Sequence, residues 1–229
     1  MKGNNIIQLP FHFDVSKLQA DLINCEQATW QLHFNTRDYD GEWTAVALRS
    51  GTGHDADIYA HPSAEYQDTD LLDACPYFRE VINTFKCPLD GVRLLKLESG
   101  SVIKPHCDLD GAYEDGFVRI HIPVITHPDV VFMVDGERVN MQPGQCWYAN
   151  FSKRHSVENL SPIDRVHLVI DARRNEWTDE LFLQAGYDFH TEKVAGKLDR
   201  GTTLLVIAEL ERNNNPANQA LIAQLKASL

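Results

Sequence analysis

The sequence predicts a mainly β fold, a sandwich or barrel with flanking helices, which is an α+β arrangement. Three observations lead there. Between Gly91 and Arg173, short apolar runs alternate with turn signals at close, regular spacing. On both sides of that stretch, apolar residues recur at helical spacing instead. A chain of 229 residues suits one compact core with helical decoration better than two full domains. The expected organisation is therefore a single domain over 1–229. Residues 1–90 supply helices and a strand, 91–175 form the core, and 176–229 form a helical extension.

Residues 14–27 read as a helix, with Val15, Leu18, Leu22 and Cys25 on one face behind a possible Asp14 cap. Residues 43–49 read as a strand. Residues 50–69 are rich in Gly, Ser, Asp and His and read as a long loop, a kind of segment that is often functional. Pro76 opens a second helix, because its missing N–H costs nothing in the first turn. Phe78, Val81, Ile82 and Phe85 give that helix an apolar stripe, and residues 88–91 read as a turn.

The pattern then becomes extended. Candidate strands are 92–97, 102–105, 117–124, 130–134, 138–141, 145–149 and 165–171. Val134-Asp135-Gly136-Glu137-Arg138 has the composition of a hairpin turn, and Pro143-Gly144 marks another. Residues 176–184 and 216–229 are helical, 202–211 fit helix or strand, and 213–216 form a linker or helix start.

Composition excludes several classes. A net charge of -12 argues against a nucleic-acid surface, which needs clustered Lys and Arg. No apolar run approaches the length of a membrane span. The first five residues lack the apolar core of a signal peptide, so a cytoplasmic protein is expected. Cys25, Cys75, Cys87, Cys107 and Cys146 form no CxxC pair and are read as free thiols.

The chemistry concentrates between Ser99 and Asp171. His106-Cys107-Asp108 places an imidazole and a carboxylate on one side of an extended segment, with Cys107 pointing away. His155 follows as a third candidate metal ligand. Two imidazoles and a carboxylate suit ferrous iron and leave positions open for other ligands. An HxD pair alone is a weak signal, and taken by itself it favours a surface turn. Arg165 raises its weight. The strand 165–171 puts Val166, Leu168 and Ile170 on one face and Arg165, His167 and Asp171 on the other. That polar face lies either in water or inside a barrel, and a buried arginine needs an anionic partner. A carboxylate gripped in bidentate fashion supplies one. Residues 117–124 repeat the pattern, with Arg119 and His121 alternating against Val118, Ile120 and Ile122.

These residues resemble the aspartyl/asparaginyl β-hydroxylase family of Fe(II)- and 2-oxoglutarate-dependent oxygenases. The matching pieces are Gly100 to His106, Arg119-Ile120-His121, Pro143 to Trp147, His155, and Arg165 to Asp171. The resemblance implies a double-stranded β-helix, a jelly-roll or cupin-like core. It implies His106 and His155 as imidazole ligands of iron and Arg165 as the anchor for the distal carboxylate of 2-oxoglutarate. Arg119 and His121 would line the pocket against cosubstrate or substrate. Animal aspartyl hydroxylases have no carboxylate ligand after the first histidine. Asp108 completes a triad here, which looks more like the bacterial free-proline hydroxylases. Phe117 stands where the animal enzymes place a further arginine, which weakens the case for an acidic peptide side chain.

The remaining candidates have plainer readings beside functional ones. Arg93 is either a substrate-carboxylate partner or an edge residue, and is placed with the site. His167 is either pocket-facing or a satisfied core histidine. His54, His61, His127 and His190 are read as structural or surface groups. Trp43 and Trp147 are read as packing, and Asn159 and Ser161 as shaping the turn before Arg165.

The expected reaction is hydroxylation of an unactivated C–H bond, with Fe(II), 2-oxoglutarate and O2. The substrate would be a small carboxylate-bearing molecule, a free amino acid or a derivative. Arg93, Arg119 and Phe117 would contact it. The alternatives are hydroxylation of a peptide or protein side chain, a non-catalytic metal-binding cupin-like module, and a protein-binding accessory role for the acidic surface. No nucleic-acid or membrane partner is expected, and the sequence leaves oligomeric state open.

Overall fold

The structure is a computed structural model that describes residues 4–61, 64–108 and 111–192, together with the helical positions Leu204, Ile207, Ala208, Ile222 and Lys226. The chain divides into residues 1–190 and 191–229. The larger unit holds thirteen strands and four α-helices among its described residues.

In chain order the strands are β1 (Ile6–His12), β2 (Gln31–Leu32), β3 (Tyr39–Asp40), β4 (Trp43–Ser50) and β5 (Gln67–Asp68). Then come β6 (Leu89–Leu97), β7 (Val102–His106), β8 (Phe117–Ile125) and β9 (Val130–Val134). The last are β10 (Glu137–Val139), β11 (Gln145–Ala149), β12 (His155–Asn159) and β13 (Arg165–Arg173). The helices are α1 (Val15–Asn24), α2 (Asp70–Asp73), α3 (Pro76–Ile82) and α4 (Glu176–Gln184).

The strands form two sheets, a jelly roll. One runs β1-β11-β8-β13-β6-β4-β2, with β5 on β4, and the other runs β10-β9-β12-β7-β3. The period-2 alternation of the large sheet decides what goes where. Its outer residues, such as Val118, Ile120, Val166, Leu168 and Ile170, pack with Leu18, Phe78, Val81 and Phe182 of the helices. Its inner residues, such as Trp43, Leu95, Leu97 and Val169, face Ile103, Phe132, Val134 and Val157 of the small sheet. Both faces of the large sheet are thus covered. Arg165, His167 and Asp171 lie buried between the sheets rather than in water.

Local chemistry explains most boundaries. Asp14 caps α1 by accepting from Lys17 N, and Pro76 sits in the first turn of α3. The β9–β10 hairpin pairs Val134 with Glu137, and Asp135 and Gly136 both take positive φ, as such a two-residue turn requires. Asn159 and Ser161 shape the approach to β13. Asn159 Nδ2 donates to the carbonyls of Leu97 and Ile163, and Ser161 Oγ donates to Asn159 Oδ1.

Four readings change. Residues 88–91 are not a turn, because β6 already starts at Leu89, which pairs with Ala172 across a register shift in β13. Strand β10 ends at Val139, not at residue 141. Helix α3 ends at Ile82, and Phe85 joins the same core from beyond it. The loop after Ser50 contains the short strand β5, which pairs with the end of β4. Strands β1 and β12 have little sequence signal. Pro10 interrupts β1 at its register shift between Leu9 and His12, a position that tolerates the missing N–H. Strand β12, His-Ser-Val-Glu-Asn, is mostly polar. The expected helix at 216–229 and the linker at 213–216 lie outside the described residues, apart from the helical positions Ile222 and Lys226. Leu204, Ile207 and Ala208 are helical within 202–211.

Candidate metal centre and its arginine cluster

The pairing of β7 with β12 sets His155 opposite His106. Asp108 follows β7, its N–H donating to Phe151 O at 2.9 Å. His106, Asp108 and His155 therefore converge, with one potential ligand atom from each lying within 4.8 Å of the others. Both histidines are oriented the same way. His106 Nδ1 lies 2.7 Å from Lys104 O and His155 Nδ1 lies 3.0 Å from Lys153 O. A carbonyl only accepts, so each Nδ1 bears the proton and each Nε2 keeps a bare lone pair for a cation. Burial, with His106 and Arg119 nearby, pushes His155 below its ordinary pKa and keeps it neutral. Two imidazoles and a carboxylate fit a ferrous ion.

A cavity of about 420 Å³ opens over this cluster, a volume in the range of small-molecule sites. His106, Asp108, His155, Arg93, Arg119, His121 and Arg165 all line it. Phe117 does not. It lies beneath Arg119, whose guanidinium carbon is 5.3 Å from the Phe117 ring centre. Cys107 reaches the rim of the cavity and is exposed.

The three arginines differ sharply. Arg119 Nη1 donates to Asp108 Oδ2 at 2.8 Å and Arg119 Nε donates to Asp171 Oδ1 at 2.7 Å. Arg93 pairs with the other oxygen of Asp171 and donates to Ile58 O at 2.9 Å. Burial raises the Asp171 pKa, and Arg119 and Arg93 more than offset it, so the carboxyl stays below its usual value. Arg165 is 2% exposed and has no carboxylate partner among the described residues. It donates to His167 Nδ1 at 2.8 Å, lies over Phe132, and leaves Nε without a partner among the described residues. Burial alone pushes its pKa down to about 9. An unneutralised buried guanidinium beside a cavity is a site for an anion.

Sequence reasoning missed the outer wall. His33 stacks on Trp43 at 3.5 Å and on Phe34 at 4.4 Å, and Asn35 and Asp38 continue the rim. Burial and the nearby arginines lower the His33 pKa to about 3. Residues 33–38 have no periodicity to expose them, and Trp43 turns out to line the cavity as well as pack. Asp171 did carry a signal, since it shares the parity of Arg165 on β13. His61 pairs with Asp57 at 2.8 Å, His54 and His190 are exposed, and His127 is half-buried beside Asp129.

A jelly roll with this His–Asp–His cluster defines the class, and the comparisons give the family. The chain belongs to the aspartyl/asparaginyl β-hydroxylase family, whose profile matches residues 13–175, well over half of it. Among curated proteins it is 28% identical over 163 residues to an L-proline cis-4-hydroxylase of Rhizobium meliloti, covering 69% of this chain and 57% of that protein. It is 27% identical over 141 residues to L-proline cis-3-hydroxylase 2 of a Streptomyces species, covering 58% and 47%. The chain thus spans about half the length of these relatives. Among solved structures, a 2OG-Fe(II) oxygenase family oxidoreductase from Burkholderia pseudomallei shares the fold. Its TM-score is 0.51 at 14% identity, over 75% of this chain and 86% of that one. No helix among the described residues is long and apolar enough to cross a membrane.

Proposed function

We propose that the protein is an Fe(II)- and 2-oxoglutarate-dependent hydroxylase of a small carboxylate-bearing molecule, a free amino acid or a derivative. The single observation behind this reading is Arg165, a buried cation without a counter-charge among the described residues, in a cavity shared with two imidazoles and a carboxylate. A bare structural metal has no use for such a group. A dicarboxylate does, with one end at the metal and the other at the guanidinium.

His106, Asp108 and His155 would hold the iron. When bound, iron, 2-oxoglutarate and O2 supply oxidising power: one oxygen atom enters the substrate C–H bond, the other enters succinate, and carbon dioxide leaves. The chain's own residues position and shield. Arg165 neutralises the distal carboxylate. Arg119 ties Asp108 to Asp171 and so fixes the orientation of the carboxylate ligand. Phe34, Trp43, Phe132 and Phe151 line the cavity and exclude water. Arg93, Arg119 and His121 line the same space. The two arginines are the contacts for substrate or the remaining cosubstrate oxygens, and His121 is a contact for substrate. The relatives named as proline hydroxylases support the amino-acid reading.

The test has two stages. Anaerobic addition of Fe(II) and 2-oxoglutarate should give a weak visible charge-transfer band, and its absence would favour a non-catalytic metal module. Succinate formation should then rise above background with one member of an amino-acid panel. Stimulation by a folded protein or peptide alone would replace the small-molecule substrate with a side chain.

A further inference from the structure

At the wall of the cavity, His121 meets a second buried histidine behind it, His167, nose to nose. His121 Nδ1 and His167 Nδ1 are 3.3 Å apart, and Arg165 Nη2 lies 2.8 Å from that same His167 nitrogen. His121 is 4% exposed and His167 2% exposed. A guanidinium only donates, so His167 Nδ1 has to be the acceptor and bears no proton. Two facing lone pairs would repel, so His121 Nδ1 bears a proton and donates into the same lone pair. Histidine proton positions follow from such networks. His121 is neutral, since burial beside Arg165 and Arg119 disfavours its cation. Its remaining nitrogen, Nε2, is therefore a bare acceptor, and it is buried with no partner among the described residues.

We infer that His167 is a positioning residue that holds the Arg165 guanidinium at the cavity and, through one shared lone pair, fixes the His121 tautomer with a proton on Nδ1 and an accepting Nε2. Two consequences follow. Arg165 is oriented by its neighbour two residues along β13 before any ligand arrives, which lowers the ordering cost of binding. Any ligand group that comes against His121 Nε2 has to be a hydrogen-bond donor, such as an N–H or O–H, because a carboxylate oxygen would face a lone pair. Carboxylate recognition then falls to the arginines. This division of labour rests on the proposed cosubstrate role of Arg165, whereas the tautomer assignment does not.

The experiment separates the two. In the metal-free full chain, nitrogen-detected histidine NMR should show His121 protonated at Nδ1 and bare at Nε2, with His167 bare at Nδ1. The reverse tautomer of His121 overturns the inference. Titration of 2-oxoglutarate into the Mn(II)-loaded full chain supplies the second readout. His167→Phe removes the acceptor and should weaken binding by about tenfold or more, the usual scale of a lost hydrogen bond to a charged group. His167→Gln returns a carbonyl acceptor and should restore most of it. Equal binding by His167→Phe and the native protein, or no recovery with Gln, overturns the positioning role. If the native protein fails to bind 2-oxoglutarate, the oxygenase reading falls, and the NMR result decides the tautomer by itself. If His167→Phe does not fold, the native NMR spectrum and the Gln variant still decide.

Discussion

Arg165 and Asp171 stand on the same face of the same strand and have opposite electrostatic surroundings. Asp171 is gripped by two guanidinium groups, Arg93 and Arg119, whereas Arg165 has a histidine nitrogen and an aromatic face but no carboxylate among the described residues. The large sheet therefore brings three cations to the cavity, and two of them are neutralised by Asp171 and Asp108. The third is left for a ligand. Burying a charge without a partner costs stability, so the fold sustains a penalty that an anion can relieve.

Arg165→Met should separate stability from binding. The variant removes an unpaired buried cation and keeps most of the packing volume. Its metal-free form should unfold at the same temperature as the native protein or higher, because replacing buried charge with apolar volume is often neutral or stabilising. Its 2-oxoglutarate affinity should fall roughly thirtyfold or more, the scale of losing one partner of a desolvated pair. Calorimetry and ligand titration on the same preparation check both. A variant that melts early and still binds 2-oxoglutarate would show that Arg165 is a structural group.

Asp171→Asn should act in the opposite sense. It leaves Arg93 and Arg119 buried without their shared carboxylate and should cost about 3–5 kcal/mol of stability. The pH signature has a definite sign. The folded pKa of Asp171 lies below its ordinary value of 3.8, so its contribution is present above that value and is lost as pH falls through the lower folded pKa. Urea unfolding at pH 7 and near pH 3 should show the difference between native and variant narrowing at the acid end.

How much of this was legible in the sequence follows from where alternation is strong. Strands β8 and β13 alternate Val, Ile and Leu with Arg and His, so their parity placed Arg119, His121 and Arg165 on one face before any coordinates. What parity cannot supply is who neutralises whom. Asp171 was on the right face, but its pairing with Arg93 depends on β6 lying beside β13, a long-range choice. Strand β12 carries one proposed ligand and almost no apolar signal, and its place is fixed by pairing with β7 and β9. The aromatic wall at His33 and Phe34 comes from an irregular segment after the two-residue strand β2, where neither helical nor strand period applies.

Arg119→Met tests the support of the proposed carboxylate ligand. Arg119 holds Asp108 Oδ2 at 2.8 Å and anchors it to the sheet through Asp171. Losing it should free the Asp108 side chain and weaken metal affinity by roughly ten- to hundredfold, as is typical when a group behind a ligand is removed. Competition with a chelator measures this on Fe(II) or Mn(II) without turnover. Unchanged metal affinity would confine Arg119 to substrate contact or to packing over Phe117.

The metal-free protein should also lose stability on mild acidification. Burial lowers the pKa values of His33, His121, His155 and His167 in the fold, that of His33 to about 3. In the unfolded chain each titrates near 6.5, so as pH falls below that value the unfolded state takes up protons the folded state refuses. Each such histidine tilts stability by up to about 1.4 kcal/mol per pH unit, and four acting together give a steep dependence. Bound metal should add to the slope, because His155, as a proposed ligand, would have to stay neutral. Urea midpoints of the metal-free chain at pH 7, 6 and 5 should therefore fall progressively, and His33→Phe should flatten the slope by close to one proton. A midpoint that stays level from pH 7 to pH 5 would mean that these histidines take up protons in the fold, and that the inner face of the sheet is far wetter than its packing indicates.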